Sequence, residues 1–107
     1  MNDRKEVAER IASFIRDNHL DMAGGYGGFV TFHKNHFVID FAKIGTLTGK
    51  VRVYGPRFIQ LTFETSGRQL PKRCSKIFAS EANVVDFIDK AFITQDIDRA
   101  MAIPVRS

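Results

Sequence analysis

Two pairs of alternating apolar segments, each pair interrupted by turn-forming residues, occupy the middle of the chain and favour β-hairpins. Residues 29–33 and 36–41 flank a Lys-Asn pair. A two-residue turn at that pair brings side chains of like polarity to the same face of the hairpin, because partners alternate from one face to the other. The apolar cross-strand partners are Phe32 with Phe37, Val30 with Ile39, and Gly28 with Phe41.

The second pair, residues 47–54 and 58–65, permits two registers. A two-residue loop at Pro56-Arg57 sets Val53 opposite Gln60 and mixes apolar with polar side chains on both faces. A three-residue loop sets Val53 opposite Ile59 and separates them. Because a one-residue slip turns every side chain to the other face, we predict the three-residue loop. Its remaining pairs are Val51 with Leu61 and Gly49 with Phe63 on the apolar face, and Tyr54 with Phe58 on the other.

Helical patterns flank these strands. Residues 3–19 carry apolar side chains at helical spacing, and Ser80 is placed to cap a helix over residues 81–93. Thr94 could cap a further turn or two before Pro104, so the sequence does not decide between one and two C-terminal helices.

The resulting prediction is an α+β fold. It has two layers: an antiparallel sheet of four or five strands arranged as two hairpins, with an N-terminal helix and one or two C-terminal helices on its apolar face. Residues 74–78 are the candidate fifth strand, and residues 1–107 form a single domain. The glycine-rich residues 24–28 lack the spacing of a phosphate-binding loop and are interpreted as a flexible connector.

Charge is distributed unevenly along the chain. The segment from Lys43 to Lys76 contains eight basic residues and only one acid, Glu64, whereas the whole chain carries +4. Such asymmetry produces a local positive potential and points to a polyanionic partner.

The open face of the predicted sheet combines basic and aromatic side chains, and a basic loop follows it. Lysine and arginine neutralise phosphates, and aromatic rings on a sheet stack with bases. The candidate nucleic-acid-binding residues are Lys50, Arg52, Tyr54, Arg57, Phe58, Gln60, Arg68, Lys72, Arg73 and Lys76, the last four assigned to the loop. Four strands followed by a helix are similar to the element order of small single-stranded-DNA-binding proteins such as the Whirly-type fold, a resemblance that implies no site residues.

Metal binding and catalysis have weaker signals. His33 and His36 face each other across the first turn, with Cys74 or Asp40 as conceivable further ligands, but a single HxxH is not a zinc signature. No family signature surrounds Cys74, and no base accompanies the carboxylates of Asp86 and Asp89. We therefore expect no cofactor, no metal and no enzymatic activity.

The sequence thus predicts a small, non-enzymatic nucleic-acid-binding or regulatory protein. The alternative is a protein-interaction or assembly module that uses an exposed sheet face or edge. A homodimer is expected in either case, formed through a strand edge or between the acidic C-terminal surface and the basic loop. The single cysteine and the lack of a long apolar run predict a cytoplasmic protein without a membrane partner.

Overall fold

A computed structural model describes residues 3–21, 27–66 and 72–106. Within these ranges five strands form one antiparallel sheet in chain order, and the helices precede and follow them. The predicted α+β architecture is confirmed, with the fifth strand present. The elements are α1 (Asp3–Asp17), β1 (Val30–His33), β2 (His36–Lys43), β3 (Leu47–Gly55), β4 (Phe58–Thr65), β5 (Arg73–Phe78), α2 (Glu81–Ile88), a π-helical segment (Asp89–Ile93) and α3 (Ile97–Met101).

The predicted registers of both hairpins are confirmed along the strands. Phe32 lies opposite Phe37 in the first hairpin, and Val53 lies opposite Ile59 in the second. The apolar side chains consequently point to one side of the sheet, where α1 packs on β2 and β3 and α2 packs on β4 and β5. One hydrophobic core fills this space, and Phe41, Phe78 and Phe87 are among its largest fully buried side chains.

The tip of the second hairpin differs from the prediction. Gly55, rather than Tyr54, lies opposite Phe58, so the turn contains two residues. Tyr54 is an extra residue on β3, and this β-bulge restores the pairing of Val53 with Ile59. The bulge lets a tight turn coexist with an apolar face that stays buried, a combination that neither simple register allows.

The region assigned to a basic loop also needs correction. β5 begins at Arg73, so Arg73 and Lys76 lie on a strand that pairs with β4. A short fifth strand was predicted over residues 74–78, but Arg73 and Lys76 were grouped with the loop. Arg68 and residues 24–26 of the 24–28 connector lie outside the described residues.

The helix ends settle the question of one or two C-terminal helices. Ser80 caps α2 as predicted, its side chain accepting a hydrogen bond from the Asn83 N–H. After the π-helical segment, Gln95 adopts a positive φ of 57°, which separates α3 as a second helix. Asp96, not Thr94, caps α3. In the described ranges, no helix has the length and apolar character needed to cross a membrane.

Candidate functional site on the open sheet face

We use the name open face for the side of the sheet that the helices do not cover. Alternation along the strands places mostly polar, basic and aromatic side chains there. From β1 to β5 these residues are Thr31, His33, His36, Val38, Asp40, Thr48, Lys50, Arg52, Tyr54, Phe58, Gln60, Thr62, Glu64, Arg73, Ser75 and Ile77.

A row of rings crosses one end of the open face. The rings of His33 and His36 are 5.8 Å apart between centroids, and His36 stacks on Tyr54 at 4.6 Å. Tyr54 meets Phe58 edge to face at 5.3 Å. The Tyr54 bulge contributes to this arrangement because it lies where the row passes from β2 to β4. We call these four side chains the aromatic row.

Arg106 extends the aromatic row beyond the sheet. Its guanidinium carbon is 5.1 Å from the centre of the Phe58 ring, and Nη1 donates a hydrogen bond of 2.8 Å to the Arg57 carbonyl. The Arg106 backbone N–H also bonds to the Ile77 carbonyl on β5. Sequence reasoning missed this residue because its position depends on the C-terminal segment returning to β5, for which no local pattern exists.

Two of the basic side chains on the open face form ion pairs there. Lys50 Nζ lies 3.0 Å from Asp40 Oδ1 on the neighbouring strand, and Arg73 Nε lies 2.8 Å from Glu64 Oε1. Both pairs are exposed, so each contributes little to stability, but each cancels one positive charge. The open face is therefore less basic than its sequence implies.

Arg52 differs from these two residues. Its Nη1 donates a 3.0 Å hydrogen bond to Thr62 Oγ1, and no carboxylate of the described residues lies within ion-pair distance of it. A guanidinium has five N–H donors in a planar fork, so Arg52 retains donors for a ligand. It lies next to the aromatic row, at the centre of the sheet.

The predicted site residues lie in several parts of the structure. Those on the open face are Lys50, Arg52, Tyr54, Phe58, Gln60 and Arg73. Arg57 lies in the hairpin turn beside the aromatic row, and Lys72 precedes β5. Lys76 faces the helices, with its Nζ 5.8 Å from the centre of the Phe87 ring, and Arg68 lies outside the described residues. The described members of the basic segment therefore do not converge on one surface.

His36 lies within a cationic environment. Only 8% of the residue is exposed. Burial lowers the pKa of His36, and electrostatic interactions with His33, Arg52 and Lys34 lower it further. The neutral imidazole is therefore favoured in the free protein. No carboxylate of the described residues raises the pKa of His36 against these effects.

The histidine pair faces across the first turn as predicted, because His33 lies opposite His36. Cys74 cannot complete a site with them, since it lies opposite Phe63 on the helix-facing side. Across residues 3–21, 27–66 and 72–106, no group of three or more histidine, cysteine or acidic side chains is arranged to hold a metal ion.

Compared with protein-family models, curated proteins and solved structures, the chain matches none of them.

Proposed function

We propose that this protein is a non-enzymatic nucleic-acid-binding protein whose open face takes a single strand. The observation that supports this most directly is the aromatic row beside Arg52. Single-strand-binding sheets combine rings that stack with bases and cations that contact the backbone. In this chain both features lie on the one sheet face that carries no helix.

The geometry suits a strand better than a duplex. The aromatic row runs from β1 to β4, and neighbouring strands of a sheet are about 4.8 Å apart. Rings at this spacing offer successive contacts to unpaired bases, whereas stacked bases inside a duplex have no free faces. Lys50 and Arg73 contribute less than their charge suggests, because a phosphate must compete with Asp40 and Glu64 for them.

The test is fluorescence anisotropy with labelled single- and double-stranded oligonucleotides at about 50 mM salt, where the electrostatic contribution is strong. We expect saturable binding of the single strand, and weaker binding as salt increases. Tyr54→Ala should weaken single-strand binding by about 5- to 150-fold, the range that corresponds to one lost stacking contact.

Tyr54→Phe is the matched control, because it keeps the ring and removes only the hydroxyl; it should bind nearly as well as the wild type. The proposal is wrong if no oligonucleotide binds at this salt concentration. Arg99→Gln removes a charge on α3. If it weakens binding as much as Tyr54→Ala does, the binding is nonspecific electrostatic attraction.

We also propose that the protein is a cytoplasmic homodimer, joined through the outer edge of β1. Among the described residues no strand pairs with this edge, whereas at β5 the Arg106 N–H bonds to the Ile77 carbonyl. Phe29 and Phe32 beside it are 58% and 56% exposed. The single cysteine supports the location.

The second route to a dimer, through the acidic C-terminal surface, has less support. Asp86 and Asp89 both contact Lys90 of their own chain, at 3.2 and 3.1 Å. Their charges are therefore partly compensated within the monomer. An edge with unpaired backbone groups and two exposed rings is the stronger candidate for a protein contact.

A further inference from the structure

A depression of about 210 Å³ lies on the open face beside the aromatic row. It is formed by side chains of β1, β2 and β3, and it has the volume of roughly seven water molecules. That is enough for a tetrahedral anion with part of its hydration shell. Its lining residues are Thr31, His33, His36, Val38, Asp40, Lys50 and Arg52.

The charges around this depression do not balance. Asp40 is its one carboxylate, and it already pairs with Lys50 at 3.0 Å. Arg52 adds a permanent positive charge with only Thr62 as its hydrogen-bond partner in the described part of the chain. The two histidines add N–H donors, and a further positive charge when either ring is protonated.

The surroundings of His36 show the same excess of positive charge. Its Nδ1 lies 3.0 Å from Asn35 Oδ1, and its ring lies between those of His33 and Tyr54. The charged and titratable groups that surround it are His33 on β1, Lys34 in the turn, and Arg52 and Tyr54 on β3. Burial comes first among the causes that lower the pKa of His36, followed by the electrostatic effects of His33, Arg52 and Lys34. An anion in the depression would offset the repulsion between the positive charges and a protonated His36.

We propose that this depression is a phosphate-binding site, with Arg52 as its main donor and His33 and His36 as its flanking donors. Given the proposed function, on which this assignment rests, it takes one backbone phosphate of the strand whose bases stack on the aromatic row. Arg52 suits the role because its fork can donate two parallel hydrogen bonds to a phosphate. Binding and protonation are linked: phosphate raises the pKa of His36, and protonated His36 binds phosphate more tightly.

The experiment follows the imidazole resonances of the wild-type protein by nuclear magnetic resonance during titration with inorganic phosphate, with sodium chloride at matched ionic strength as the reference. His19, just after α1, is the remaining histidine of the chain and serves as an internal control. We expect saturable shifts at His33 and His36, a higher pKa of His36 in phosphate than in chloride, and no comparable change at His19.

Arg52→Gln should weaken phosphate binding by about 10- to 100-fold, the range for a lost charge-assisted contact. Arg99→Gln removes the same charge far from the open face and should leave the affinity unchanged. Equal, unsaturated shifts at all three histidines, or equal effects of the two variants, would overturn the phosphate site. If Arg52→Gln does not fold, the wild-type titration alone decides.

A parallel titration with a thymidine oligonucleotide separates this proposal from the proposed function. Phosphate binding without oligonucleotide binding would support the site and contradict the nucleic-acid function. Oligonucleotide binding that is equally strong in Arg52→Gln and Arg99→Gln, with no phosphate shifts, would support the function and overturn the site.

Discussion

Gly49 shows how one residue without a side chain allows a large ring into the core. It lies opposite Phe41 on β2, and Phe41 is fully buried. A Cβ atom at position 49 would lie 2.6 Å from Cε1 and 2.8 Å from Cε2 of the Phe41 ring, with Cζ closer still. The ring therefore occupies the space that any other residue at position 49 would need. This is a packing requirement, because Gly49 does not have a positive φ.

Gly49→Ala should lower the free energy of unfolding by about 1–3 kcal/mol, because the added methyl group overpacks a rigid part of the core. Urea denaturation followed by circular dichroism measures the change. Gly55→Ala is the matched control: a Cβ atom there would meet nothing within 4 Å, so its effect should stay within about 0.5 kcal/mol. Equal stability of the two variants would contradict the packing role of Gly49.

At the scale of elements, the sequence predicted what depends on alternation and missed what depends on distant contacts. The registers followed from keeping Val53 and its neighbours on the apolar face, because a slip would expose them all. The Tyr54 bulge was not predicted, since local alternation cannot anticipate an extra residue. Lys76 was assigned to the basic loop although residues 74–78 were a candidate strand, and its pairing with Leu61 on β4 turns it toward the helices.

Ser80 offers a test of a predicted helix start. Its Oγ accepts a 3.1 Å hydrogen bond from the Asn83 N–H at the beginning of α2. Ser80→Ala removes this acceptor and should lower the free energy of unfolding by about 1 kcal/mol. Ser80→Asp restores an acceptor and should recover most of the loss. Thermal denaturation of the three proteins checks the order; an alanine variant as stable as the wild type would show that the cap contributes nothing.

At the scale of the whole molecule, the basic segment is continuous in sequence and divided in space. Lys50 and Arg73 are paired on the open face, Lys76 lies over a core ring, and Arg52 keeps donors for a ligand. Arg106, from outside that segment, adds a charge beside Phe58. The candidate site is therefore narrower than the charge pattern predicted, and it depends on a residue that the pattern did not include.

A dimer through β1 would enlarge this narrow site by joining two open faces. A two-residue turn joins the end of β1 to β2, and the alternation of hydrogen bonding is counted from this turn. The backbone groups of Val30 and Phe32 therefore point away from β2. A two-fold axis at Thr31 would set Val30 of one copy opposite Phe32 of the other. Both outward residues then bond across the axis, and the two sheets become one continuous sheet.

We expect sedimentation equilibrium of the wild-type protein to show a dimer. Phe32→Pro should give a monomer because it removes an outward N–H that β2 does not use, and an edge strand tolerates proline. Phe32→Lys should also dissociate the dimer, since a lysine on an edge opposes strand addition. Ile44→Lys is the matched control: Ile44 is 74% exposed in the turn between β2 and β3, so this variant should remain dimeric. A monomeric wild type, or a dimer that persists in Phe32→Pro, would rule out this interface. If Phe32→Pro is a monomer and still binds the single strand, one copy of the open face is sufficient for the ligand.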